Sequence, residues 1–136
     1  DYLDDFSPSP GVIDRMRFPN NPVIRLDMGF EAGNEVTLYY DPMFGKVICH
    51  AENRKNCIET FDRWLKSTLI TGIDTTIPFG QFVLQSEEFQ SGEYSITYYQ
   101  NLDRTLLENN EKERGEVAAV VAHWLMNSEK EKNYLL

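Results

Sequence analysis

Tyr39-Tyr40-Asp41-Pro42-Met43-Phe44-Gly45-Lys46-Val47-Ile48-Cys49-His50-Ala51-Glu52-Asn53-Arg54 carries the most structural information in this chain. It reads as a strand end, a tight turn, a central strand and the start of a helix. Asp41-Pro42 and Gly45 supply the turn, because proline fixes φ, aspartate can accept a bond from the following backbone, and glycine tolerates positive φ. Upstream, Val36, Leu38 and Tyr40 alternate with Thr37 and Tyr39 in the period of two that marks a strand with unlike faces. Downstream, Val47 to Ala51 is mostly apolar, as expected for a strand covered on both sides, although a buried helix shares that signature. Asn53 is placed to cap the helix that follows.

Toward the N-terminus, Val23 to Met28 puts Ile24, Leu26 and Met28 on one face and Val23, Arg25 and Asp27 on the other. Pro19-Asn20-Asn21-Pro22 is a turn by composition, and Val12 to Phe18 is a further strand whose alternation Ile13 and Asp14 interrupt. Asp1 to Phe6 is acidic without periodicity, and Ser7-Pro8-Ser9-Pro10-Gly11 is an extended strap closing in a turn. Toward the C-terminus, Cys57, Ile58, Phe61, Trp64, Leu65, Thr68 and Leu69 follow the three-and-four spacing of an amphipathic helix, predicted over 54–71 and ended by Gly72. Thr75-Thr76 before Ile77-Pro78 opens a second helix to about Gln85. Ser86 to Gly92 reads as polar and irregular, Tyr94 to Tyr99 as strand or irregular, and Glu116 to Asn127 as a late helix whose apolar face is Val117, Val120, Val121, Trp124 and Leu125. Charged Glu129 to Lys132 is read as solvated. The expected class is α+β: an antiparallel sheet of short strands, a meander or barrel-sandwich, packed with two or three helices. Residues 1–100 form the core and 101–136 a helical extension packing on the same domain.

The chain has 136 residues, 41% of them hydrophobic and 26% charged, which is enough for one cored domain and short for two. A net charge of -9 gives the phosphate neutralisation of nucleic-acid binding no obvious source. The longest apolar runs fall far short of the roughly 20 residues that span a bilayer. A soluble protein without a visible address is expected. Cys49 and Cys57 are too few for a disulfide scaffold or a zinc site and read as buried thiols of a reducing compartment.

Little in the residues themselves looks catalytic: they include no Gly-rich phosphate loop, no metal-binding histidine spacing and no nucleophile elbow. His50 and His123 read as structural, and Lys46 as a cation snorkelling from an otherwise apolar face. Arg25 carries two readings. It pairs with Asp27 two residues on, an exposed pair worth about 0–1 kcal/mol, or its planar guanidinium is fixed on a rigid strand to meet a carboxylate or a developing oxyanion. Arg54 opposes the positive end of its helix and should be compensated by an acid, either Glu52 or a group on another chain.

Several of these segments recur together in one order: Phe6-Ser7-Pro8-Ser9-Pro10-Gly11, Val23-Ile24-Arg25-Leu26-Asp27 leading to Glu31-Ala32-Gly33, Tyr39 to Ile48, Glu52-Asn53-Arg54, and Ile73-Asp74-Thr75-Thr76. Over about the first hundred residues the chain resembles the C-terminal domain of biotin carboxylase. Phe44 and Gly45, Leu38 and Thr76 depart from the commoner residues of that pattern, at positions of turn and packing. Biotin carboxylases use ATP and bicarbonate to carboxylate biotin, in acetyl-CoA, propionyl-CoA, pyruvate and related carboxylases. The resemblance implies that Arg25 is the catalytic arginine of a biotin/bicarbonate-binding site and that Arg54 lies at a dimer interface. It implies an ATP-grasp portion elsewhere in the same enzyme that holds ATP and Mg2+, biotin carried on a carboxyl carrier domain, and a carboxyltransferase component. Asp1 and Tyr2 look like the tail of the motif joining the two portions, so a domain excised from a larger enzyme and inactive alone is expected, cytoplasmic or of the mitochondrial matrix. The competing expectation is a non-catalytic dimerisation or docking module that has kept the fold. A biotin-carrying domain is disfavoured, because Lys46 in Phe-Gly-Lys-Val lacks the Ala-Met-Lys-Met context.

Overall fold

The computed structural model describes residues 2–133, without the side chains of residues 104, 110, 111, 114 and 123–133. It divides into two compact units, one running to Thr97 and the other starting at Tyr98.

The first unit holds six short strands and three helices. The strands are β1 (Gly11–Val12), β2 (Arg15–Arg17), β3 (Ile24–Met28), β4 (Glu35–Val36), β5 (Gly45–Cys49) and β6 (Leu69–Thr71), and the helices are α1 (Arg54–Lys66), α2 (Ile77–Gln85) and α3 (Glu87–Ser91). All pairing is antiparallel: β1 with β4, β2 with β6, and β3 with β5. The α+β class and the antiparallel pairing are as expected. The connectivity is not that of a simple meander, since among the described residues no strand pairs with its neighbour in sequence.

Hydrophobic alternation sets the longest pair. Ile24, Leu26 and Met28 are half-buried while Arg25 and Asp27 point outward, the faces expected for β3. β5 alternates in the same way, with Lys46 and Ile48 outward. Its expected cover on both sides is therefore corrected: α1 packs on one face, where Trp64 and Leu65 meet Ile24, Leu26 and Val47, and the other face is open. Lys46 simply stands on that open face. Leu84 of α2 completes the buried cluster, with Phe18, Ile58, Phe61, Ile77 and Phe89 packed against it.

The sequence signals at α1 and α2 take physical form. Asn53 Oδ1 accepts from the Asn56 N–H at 2.9 Å, which satisfies one orphan donor of α1. Asp41 Oδ1 accepts from the Met43 N–H at 2.8 Å and closes the turn. Pro78 sits in the first turn of α2, which ends at Gln85.

Four boundaries differ from expectation. α1 stops at Lys66, where the Ser67 and Thr68 N–H groups fall back on Trp64 and Leu65, and Leu69 to Thr71 becomes a strand because β2 offers it pairing groups. Thr68 and Leu69 kept the helical spacing by coincidence, and Gly72 follows a strand instead of a helix. Val12 to Phe18 splits into β1 and β2 because Ile13 turns fully inward, its N–H on the Asn34 carbonyl and its own carbonyl accepting from Gly33. β4 stops at Val36, leaving Leu38, Tyr39 and Tyr40 exposed, with Tyr39 at 90%. Ser86 to Gly92 is helical rather than irregular: Ser86 Oγ caps the Phe89 N–H, Glu87 and Glu88 sit at the positive helix end, and Gly92 closes the helix at positive φ.

The second unit has a short 3₁₀ turn at Tyr99–Asn101 and one long helix, α4 (Arg104–Asn133). α4 begins well before the expected Glu116. Asp103 starts it by accepting from both the N–H (3.0 Å) and hydroxyl (2.7 Å) of Thr105, bonds that hold its carboxyl below the usual carboxylate range. The intervening Glu, Lys, Arg and Leu residues are good helix formers without needing an apolar stripe. Val117, Val120 and Val121 are exposed on this helix. The side chains of His123, Trp124 and Leu125, and of Glu129 to Lys132, lie outside the described residues.

Candidate functional site

Arg25 is carried at the second position of β3, on the open face of the β3/β5 pair. Its Nη2 lies 3.1 Å from Asp27 Oδ2, with side-chain exposures of 70% and 49%. In the register, Ile48 stands opposite Arg25 and Lys46 opposite Asp27, so the face carries two cations flanking one carboxylate. The five-residue ladder and the α1 cluster behind it fix the backbone under Arg25, while its side chain is screened only by solvent. The Asp27 contact leaves most of the five guanidinium donors available to an anion.

Two cavities lie elsewhere in the first unit, and Arg25 lines neither. One, of about 380 Å³, is walled by Phe18, Met28, Val47, Trp64 and Ile70, with Asp41 and Asp74 among its polar groups. The other, of about 430 Å³, is a cleft bounded by Cys49, His50, Arg54, Cys57, Phe61 and Phe89. Among the described residues no cluster of three His, Cys, Asp or Glu could hold a metal ion, and no helix is long and apolar enough to cross a membrane.

Arg54 is held within the unit, 35 residues away in sequence from its main contact. Its Nε donates to the Phe89 carbonyl at 3.1 Å and its Nη2 donates to the same oxygen. The guanidinium carbon lies 4.7 Å from the centre of the Phe89 ring and 5.6 Å from that of Tyr94, and those two rings stack at 5.2 Å. Within this unit the guanidinium is met not by Glu52 but by a carbonyl of α3 and by two aromatic faces. Sequence reading missed Phe89 and Tyr94 because it missed α3, although Ser86-Glu87-Glu88 is a helix-start signature. Replacing Arg54 by lysine, which cannot form the fork or lie flat on the rings, is expected to cost about 1 kcal/mol. Urea unfolding of Arg54→Lys with an unchanged slope checks this, and an unshifted midpoint would contradict it.

Cys49 and Cys57, expected as buried thiols, are half-buried free thiols at the cleft. Burial, and then the neighbouring Cys57 thiol, push Cys49 up to about 11.

Fold and geometry together define an α+β domain with Arg25 exposed on the open face of the β3/β5 pair. The sequence model of the biotin carboxylase C-terminal domain matches residues 1–101, and the chain belongs to that family. It is 38% identical over 103 residues to a biotin carboxylase of Halalkalibacterium halodurans, covering 74% of this chain and 23% of that protein. It is 36% identical over 91 residues to a pyruvate carboxylase subunit of Methanothermobacter thermautotrophicus, covering 67% of this chain and 18% of that one. Among solved structures, the biotin carboxylase domain of a thermophilic 2-oxoglutarate carboxylase bound to bicarbonate superposes with a TM-score of 0.71 at 29% identity, over 74% of this chain and 23% of the other. Urea carboxylase of Kluyveromyces lactis superposes with a TM-score of 0.70 at 27% identity, over 76% and 9%. The chain therefore spans less than a quarter of the length of these relatives.

Proposed function

We propose that this domain works as the C-terminal part of an ATP-dependent biotin carboxylase, with Arg25 contributing to the site where bicarbonate and biotin react. Family membership over residues 1–101 carries the reading. The exposed guanidinium supports it: Arg25 has donors to spare and a rigid strand beneath it, which suits binding of a carbonate or ureido oxygen. ATP and Mg2+ belong to the ATP-grasp portion and biotin to a carrier domain, with the carboxyltransferase component choosing the final acceptor, such as acetyl-CoA in fatty acid biosynthesis. The setting is the cytoplasm or the mitochondrial matrix. The 136-residue chain alone is expected to show no biotin-dependent ATP hydrolysis.

The test is biotin-dependent ATP hydrolysis by the longer enzyme carrying Arg25→Ala. Removing a donor aimed at a developing oxyanion is expected to lower the rate about 10²–10³-fold, and an unchanged rate would remove Arg25 from the chemistry. A second reading has its own observation. Arg25 lies outside both cavities, on a flat face beside Asp27, as a residue of a subunit contact would. In that reading the face, together with the region of Arg54, serves homodimerisation or docking, and Arg25→Glu shifts the sedimenting species while the chemistry per active site stays intact. Measuring turnover and sedimentation on the same variants separates the two.

A further inference from the structure

Cys49 ends β5 and Cys57 lies in the first turn of α1, so the chain between them has only to leave the strand and enter the helix. Each thiol faces the other residue's backbone. Cys57 Sγ donates to the Cys49 carbonyl at 3.3 Å, and Cys49 Sγ donates to the Cys57 carbonyl at 3.6 Å. Such a reciprocal arrangement holds both sulfurs in the narrow space between the strand and the helix. Both line the 430 Å³ cleft beside His50 and Arg54, so a small reagent can reach them. An S–H group is a weak donor, so exchanging these two carbonyl contacts for a covalent bond sacrifices little.

We propose that Cys49 and Cys57 form an oxidisable dithiol, which a low-molecular-weight disulfide converts into an intramolecular disulfide tying the end of β5 to the first turn of α1. One cysteine, as thiolate, attacks a sulfur of the small disulfide; that S–S bond breaks, and the released thiolate takes up a proton. The second cysteine, deprotonated, attacks the protein sulfur of the mixed disulfide and expels the other half of the reagent as a second thiol. Two S–H bonds of the protein are lost, one S–S bond forms, and the two electrons reduce the reagent to two thiols. The bond would fix the helix start that carries Arg54 against the strand that pairs with β3 and Arg25. The alternative is that the two cysteines only fill space as small apolar side chains.

The test treats the native 136-residue chain with oxidised glutathione, quenches it in acid and digests it with trypsin. The expected dominant product lacks two hydrogens, retains no glutathione, and yields peptides 47–54 and 56–63 joined through Cys49 and Cys57. In a glutathione redox buffer the equilibrium constant for this bond is expected to be roughly tenfold or more larger for the native chain than for the chain in urea, because a disulfide that fits the fold stabilises it. Retained glutathione on either cysteine, no reaction, or equal constants in the two conditions would overturn the proposal.

Discussion

Trp64→Ala is expected to remove a large share of the first unit's stability. Trp64 is 3% exposed and sits where every part of the main core meets. Its ring lies parallel to Phe18 with centres 5.6 Å apart, Phe61 packs at 6.3 Å, and its Nε1 donates to the Pro19 carbonyl at 2.8 Å. Truncating a buried tryptophan costs about 3–5 kcal/mol, and the lost hydrogen bond adds about 1 kcal/mol. A small domain has only about 5–15 kcal/mol in total. Trp64→Phe separates the two contributions, since it keeps most of the stack and loses the bond to Pro19, with an expected cost of about 1–2 kcal/mol. Urea unfolding followed by circular dichroism measures both. Equal losses for the two variants would show that the hydrogen bond, and not the packing, is what Trp64 supplies.

The contrast between Trp64 and Arg54 shows which parts of this molecule were legible in its sequence. Trp64 belongs to a stripe repeating every three or four residues, and that stripe could only be the buried face of α1. Asn53, Asp41 and Pro78 act within three residues of themselves, so local chemistry predicted them correctly. Arg54 depends on a carbonyl and a ring 35 residues away, and no local rule reaches that far. Strand pairing fails for the same reason: Met16 finds Ile70 across more than fifty residues, and nothing near either one announces the other. Leu69 shows the cost of relying on period alone, since its helical spacing continued past the point where β2 claimed it.

Arg25 lies between these cases. Its place on the outward face of β3 followed from the alternation of Ile24, Leu26 and Met28, and Asp27 is beside it as the spacing implied. The strand does not encode what Arg25 binds, so its proposed role rests on family membership. The two cysteines show a related limit: each alone looks like a small buried side chain, and only the approach of β5 to α1 reveals that each thiol meets the other residue's backbone carbonyl.

Gly72→Ala is expected to cost far more than an exposed glycine suggests. Gly72 follows β6 with φ at +99°, and a Cβ there would lie 2.0 Å from the Val12 carbonyl oxygen and 2.8 Å from the Asp14 nitrogen. Both are backbone atoms, so the clash cannot be relieved by turning a side chain. The Asp14 N–H donates to the Thr71 carbonyl at 2.8 Å, and Arg15 pairs with Thr71 in the β2/β6 ladder. Moving the two segments apart therefore opens that bond and loosens the one strand pair that, among the described residues, joins the N-terminal part of the unit to the segment after α1. Left-handed strain for a residue with a Cβ costs roughly 1–2 kcal/mol, and forced overpacking typically adds about 1–3 kcal/mol. Gly33→Ala is the matched control: φ is +91°, nothing lies within 4 Å of the added carbon, and only the roughly 1–2 kcal/mol of backbone strain applies. Urea midpoints of the two variants should differ accordingly, and hydrogen exchange at the Asp14 amide should accelerate in Gly72→Ala alone. Equal destabilisation of the two, with Asp14 still protected, would mean that backbone strain is the whole effect and that the close crossing at Gly72 contributes nothing.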